Sequence, residues 1–152
     1  MIAVGEPAPD FKLRDQDGEE VSLSDFAGRK VMLVFYPGDF SPVCSDQLSV
    51  YQEVKPQLAE SGIELVGISV DSFFAHKAFQ TQLGIDTTLL SDFEPKGEVA
   101  RAYDSYVEDF GFANRTLVMV DENGIVAWTH ESPSPGEFPA AEVLLGAISA
   151  TA

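Results

Sequence analysis

Only one cysteine, Cys44, occurs in the chain. No internal disulfide can form, and cysteine usage gives no sign of an oxidising compartment. Cations are scarce too: nine Lys and Arg against 25 Asp and Glu give a formal charge of −16 and a pI near 4.2. Such a surface repels phosphate backbones and anionic membranes, so neither nucleic acid nor membrane is an expected partner. It fits an ordinary solvated acidic surface or adaptation to high salt, which would screen the self-repulsion. No run approaches ~18 apolar residues, and Met1-Ile-Ala-Val-Gly-Glu-Pro7 lacks the basic and apolar regions of a leader. The expectation is a cytoplasmic protein. His76 and His130 are isolated in sequence, no Cys/His/carboxylate cluster has metal-ligand spacing, and no glycine-rich phosphate loop occurs. No metal or cofactor is expected.

What is present is enough apolar material for a core. Hydrophobic residues make up 45% and aromatics 11% of 152 residues, which suits one domain spanning 1–152 and excludes a disordered chain. Phe11-Lys-Leu-Arg14 and Glu20-Val-Ser-Leu23 flank Asp17-Gly18, a hairpin signal. Val31 to Tyr36 reads as a strand buried on both faces and stopped by Pro37-Gly38. A helix is predicted over 42–60, with a kink or break at Pro56 and a stop at Ser61-Gly62. Ile63 to Ser69 is a second buried strand, and a helix over 72–83 is closed by Gly84. Two βα units in succession imply parallel strands. A short helix after Glu94-Pro95, a hairpin of 116–121 and 125–129 around Asn123-Gly124, and a helix over 139–150 complete the order. The pattern is that of an α/β, thioredoxin-like fold: a central mixed β-sheet flanked by helices, with an N-terminal β-hairpin extension.

Cys44 stands where that pattern puts chemistry. The strand at 31–36 delivers the chain to a predicted helix whose N-cap is Ser41 and whose first position is Pro42, so Cys44 falls in the first turn. Free N–H groups and the positive end of the helix dipole face the sulfur there, which favours the reactive thiolate.

The segment Pro37-x-x-x-Ser41-x-x-Cys44 resembles the active-site signature of the peroxiredoxins, thiol peroxidases. Similar stretches cover nearly the whole chain: Val4-Gly-Glu-Pro-Ala-Pro-Asp-Phe11, Gly67-Ile-Ser-Val-Asp71, Leu89-Leu-Ser-Asp92 and Ala113-Asn-Arg-Thr116. The sequence is most similar to the one-cysteine alkyl hydroperoxide reductase E group, and next to the bacterioferritin-comigratory group. The resemblance implies Cys44 as peroxidatic nucleophile, Arg115 as a strand-borne arginine approaching the sulfur, and Ser41 as a hydroxyl bonding the peroxide besides its capping role. Pro37 would shield the sulfur from water. Val43 and Gln47 are candidate substrate-binding residues, Val43 through its N–H. Gln47 departs from the family pattern, where many members carry Glu, and supplies no negative charge.

Magnitudes show where the rate must come from. A thiol whose pKa drops by ~2.5 units gains roughly thirtyfold in thiolate at neutral pH and loses roughly tenfold in nucleophilicity. Ionisation alone therefore leaves a few-fold gain, and positioning of the O–O bond and stabilisation of the leaving alkoxide must supply the rest. The expected reaction is reduction of hydrogen peroxide and organic hydroperoxides through a Cys44 sulfenic acid. Position 49, where some relatives keep a resolving cysteine, is Ser49, so the resolving thiol must be external: a small thiol, or a glutaredoxin-like or thioredoxin-like protein. Ser41-Pro-Val-Cys44 can also be read as a degraded disulfide-exchange motif without its first cysteine, and Cys44 could belong to a non-catalytic redox sensor. A homodimer is expected by resemblance, with Phe40 and Phe110 either at its apolar centre or in the core.

Overall fold

The computed structural model describes residues 2–151; Met1, first in the stretch read for a leader, and Ala152 lie outside them. The chain forms β1 (Lys12–Arg14), β2 (Glu20–Ser22), a 3-10 turn (Leu23–Phe26), β3 (Lys30–Phe35), α1 (Pro42–Glu60), β4 (Ile63–Ser69) and α2 (Phe73–Leu83). It continues with β5 (Thr88–Ser91), α3 (Glu98–Ala102), β6 (Tyr106–Val107), β7 (Phe112–Ala113), β8 (Thr116–Val120), β9 (Val126–Glu131) and α4 (Ala141–Ala150). Seven strands make one mixed sheet in the order β2-β1-β5-β4-β3-β8-β9. The β3–β4 and β4–β5 pairs are parallel, as the two βα units require. The N-terminal hairpin adds to one edge, where Arg14 pairs with Ser91.

β3 lies inside the sheet, between β4 and β8, and its alternation divides the core. Val31, Leu33 and Phe35 pack on one face with Val66, Ile68, Leu90 and Val118. Met32 and Val34 face the other way, against Tyr51 and Leu58 of α1 and Leu144 and Ala147 of α4. Both sets are fully buried, each large side chain contributing roughly 1.5–3 kcal/mol of transfer free energy. Where β3 ends, Tyr36, Cys44, Leu48, Phe79 and Leu89 form a third apolar cluster between α1 and α2. The sulfur therefore sits beyond the carboxyl end of β3, on the first turn of α1 and in an apolar cluster that α2 also joins.

Helix boundaries follow their caps. Ser41 caps α1, Ser72 caps α2 by accepting from the Ala75 N–H, and Gly84 ends α2 in the left-handed region at φ 66°. The break expected at Pro56 does not occur: α1 runs on to Glu60. Proline there removes a single donor, and the helix ends one turn later. Asp121 secures the β8–β9 turn by accepting from the N–H groups of Asn123 and Ile125. Three strands carry too little sequence signal to be foreseen: β5, and the two-residue pair β6–β7. No helix among the described residues is long and apolar enough to cross a membrane.

Candidate active site

Strand register assembles the site. β3 and β8 are antiparallel with Phe35 opposite Thr116, so the residue before β8, Arg115, lies beside the loop that leaves β3. Ser41 holds extended backbone at φ −62°, ψ 135°, and its Oγ accepts the Cys44 N–H at 3.5 Å. Cys44 is fully buried in the first turn of α1 and Arg115 is only 1% exposed. Arg115 Nη1 donates to Cys44 Sγ at 3.0 Å and to Gln47 Oε1 at 2.7 Å, while its Nε donates to the Pro135 carbonyl at 2.6 Å. Hydrogen bonds to a charged group contribute roughly 1.5–3 kcal/mol each. Among the described residues Arg115 takes part in no ion pair with a carboxylate.

Gln47 is as buried as the sulfur, and its Nε2 has no partner among the described residues. Its oxygen holds the guanidinium and does not face the entrance. Burial pushes the neighbouring Tyr51 phenol up to about 12, with Gln47 and the Arg115 charge pulling the other way. Tyr51 donates to the Pro139 carbonyl at 2.6 Å and so ties α1 to the start of α4.

An open cleft of about 730 Å³ lies over this arrangement, lined by Pro37, Phe40, Ser41, Val43, Phe110, Phe112, Arg115 and Pro135 among others. Phe40 and Phe110 are 46% and 65% exposed, which settles them as surface and not core. Cys44 is not part of the lining; it lies behind Ser41 and Val43 with its sulfur on Arg115.

The fold also makes a cluster that sequence spacing concealed. Parallel pairing of β3 and β4 brings the residues after each strand together, so Asp39, Asp71 and His76 have ligand atoms within 4.8 Å of one another. Their polar atoms bond one another and their neighbours: His76 Nδ1 lies 2.7 Å from Asp39 Oδ2, and Tyr36 OH donates to Asp39 Oδ1 at 2.6 Å. Burial, then the Asp39 charge, raises the Asp71 carboxyl above its ordinary range. Burial foremost, then Asp39, raises the Tyr36 phenol well above its own. The readable signal was Asp39 itself, inside the loop between Pro37 and Ser41. That loop is held in an unfavourable shape: Phe40, a non-glycine residue, has φ 68°, at a cost of order 1–3 kcal/mol.

These elements define a thioredoxin-like protein with a buried cysteine–arginine pair beyond the end of an interior strand of the sheet. Residues 4–129 match the AhpC/TSA family model; the chain belongs to this family, the peroxiredoxins, and is a thiol-dependent peroxidase. It is 40% identical over 138 residues to alkyl hydroperoxide reductase E of Mycobacterium tuberculosis, covering 90% of each chain. Its structure is similar to AhpC of Enterococcus faecalis, with a TM-score of 0.90 at 29% identity over 99% of this chain and 92% of that one. It is also similar to the peroxidoxin BcpB of M. tuberculosis, with a TM-score of 0.88 at 27% identity over 100% and 99%.

Proposed function

We propose that Cys44 is the peroxidatic nucleophile of a one-cysteine peroxiredoxin whose domain spans 1–152. The Cys44 thiolate attacks the terminal oxygen of hydrogen peroxide or an organic hydroperoxide. A sulfur–oxygen bond forms, the O–O bond breaks, and the departing oxygen leaves as water or alcohol once protonated, with Cys44 as sulfenic acid. An external thiol then condenses with it, releasing water and forming a mixed disulfide. A second thiol displaces Cys44 and completes the cycle. The observation that carries this reading is the Arg115 Nη1 to Cys44 Sγ hydrogen bond of 3.0 Å beside the cleft.

Each site residue has a part. Arg115 orients the thiolate and, with Ser41 and the N–H groups near Val43, stabilises charge on the departing oxygen. Pro37 and Val43 wall the sulfur from bulk water. Gln47 acts on the substrate through the guanidinium it holds. The exposed Phe40 and Phe110 beside the cleft support an apolar contact between two copies, and the protein works as a cytoplasmic homodimer. A monomeric mass in sedimentation at micromolar protein, at both low and high salt, would reject the dimer.

Stopped-flow mixing of reduced protein with stoichiometric hydrogen peroxide and with a lipid hydroperoxide tests the chemistry. One equivalent should be consumed, with loss of the Cys44 thiol and no turnover until an external thiol is added. Intact mass spectrometry should then show the thiol adduct. Repeated turnover without external thiol contradicts the one-cysteine cycle.

A further inference from the structure

We propose that His76 is a positioning residue for the peroxidase site: bonded at both ring nitrogens, it anchors Asp39 and with it the loop that presents Ser41 and Cys44. The proposal rests on Cys44 being the reactive sulfur. His76 Nδ1 meets Asp39 Oδ2 at 2.7 Å and Nε2 meets the Leu90 carbonyl at 3.0 Å. The side chains of His76 and Asp39 are both wholly buried. Leu90 lies in β5 and His76 in α2, so the ring ties the loop to an interior strand through two bonds on opposite edges.

The loop has reason to need such a tether. Two residues before the N-cap of α1, Asp39 is gripped three ways: its carboxylate by His76 and by the Tyr36 hydroxyl, and its own N–H by Asp71 Oδ2 at 2.8 Å. Asp71 is itself fixed by Ser69 Oγ at 2.5 Å. The next residue, Phe40, holds φ 68°, and a strained position persists only where its surroundings over-determine it. Its ring packs edge-on against Phe79 at 5.2 Å. Phe79 follows His76 on the same helix, so α2 holds both the residue before the strain and the strained residue.

This anchor has a consequence for the two half-reactions. Held in place, the loop keeps the sulfur wholly buried on Arg115, the arrangement suited to a small peroxide. A bulky reducing thiol cannot reach a fully buried sulfur, so reduction requires the loop to release. Loosening the anchor should slow the first step and quicken access in the second. General damage to packing would not separate them in this way.

The test compares the unmodified protein with His76→Phe, which fills the volume without hydrogen bonds, and His76→Gln, which keeps a donor for Asp39. Two rates of Cys44 are read: oxidation by hydrogen peroxide and alkylation by a maleimide. In His76→Phe the peroxide rate should fall by about tenfold to a hundredfold while maleimide alkylation quickens, and His76→Gln should lie between. A peroxide rate within about twofold of the unmodified protein, or a fall in both rates together, overturns the proposal. The maleimide arm does not depend on peroxide chemistry, so a failure of the peroxidase reading would show separately as an unmodified protein inert to peroxide. Should His76→Phe not fold, Asp39→Ala removes the other end of the bond and must give the same opposed pair of changes. In the unmodified protein a ring N–H of His76 bonded to Asp39 should exchange far more slowly than a ring N–H of His130, the chain's other histidine. Equal exchange overturns the proposal.

Discussion

On one side of the loop from Pro37 to Ser41 lies a buried cation whose partners are a sulfur, an amide oxygen and a carbonyl. On the other lie two carboxylates, Asp39 and Asp71, gathered around an imidazole and three hydroxyl or amide donors. The second cluster closes on itself, since each acceptor oxygen of Asp39 has a donor. The first does not. A buried guanidinium is costly without a counter-charge, and Gln47, standing where a carboxylate would neutralise it, is neutral. On the reading proposed above, the Cys44 thiolate is the missing counter-charge. One cluster is complete and holds geometry; the other is left incomplete at the atom that reacts.

The severest way to break this comparison is to remove the sulfur. Cys44→Ser should abolish peroxide reduction with the fold retained, because a serine hydroxyl is almost wholly un-ionised at neutral pH and no base stands beside it. Turnover above a few per cent of the unmodified rate, measured with peroxide and excess thiol, would take Cys44 out of the mechanism. Next in size is Arg115→Lys. The charge survives, but a point ammonium cannot span Sγ, Gln47 Oε1 and the Pro135 carbonyl at once. A loss of ~2–4 kcal/mol in transition-state stabilisation is expected, the scale of deleting an oxyanion-hole donor. An unchanged second-order rate constant would reduce Arg115 to a cation at a strand end.

The two clusters also differ in how far sequence reveals them. The sulfur site was legible because its determinants are local: a proline-glycine stop, a serine cap, a proline at the first helical position and a cysteine one turn in. Arg115 came from resemblance of the stretch Ala113 to Thr116, and register explains it, since Thr116 pairs with Phe35 at the end of β3. The histidine cluster was illegible because its members are joined across a crossover. His76 and Asp39 are 37 residues apart, and nothing in α2 marks a histidine as buried. β5 escaped notice for a related reason: four residues, half of them polar, take strand form only because β4 lies alongside them.

Gln47→Glu sharpens the comparison by making the sulfur site resemble its neighbour. A carboxylate would keep the acceptor role at 2.7 Å from Arg115 Nη1 but compete with the thiolate for the cation. The peroxide rate should fall, by less than about tenfold, since the geometry survives. A gain larger than that would mean the glutamine has given up a working acid or base, and the view of the incomplete cluster as the productive one would be wrong.

The smallest effect is read from the carboxylate side. Asp92 lies beyond β5 with its N–H on the Ser69 carbonyl, and its carboxylate accepts from the Val99 and Ala100 N–H groups at the start of α3. Burial outweighs those bonds and raises the Asp92 carboxyl above 3.8. The folded chain therefore holds a proton that the unfolded chain has already released. Asp92 contributes most stability below 3.8, and that contribution falls as pH rises through the folded value. Asp17, at the exposed β1–β2 turn, is shifted the other way by Lys77; there the contribution is present above 3.8 and is lost on acidification. In Asp92→Asn the carboxyl's share of the pH dependence is gone. The stability of the unmodified protein minus that of the variant, from denaturant titrations, should decline as pH rises above 3.8, by no more than ~1.4 kcal/mol per pH unit, and level off once the folded carboxyl has ionised. A difference that grows with pH would show that the α3 N–H groups, and not burial, govern this carboxylate.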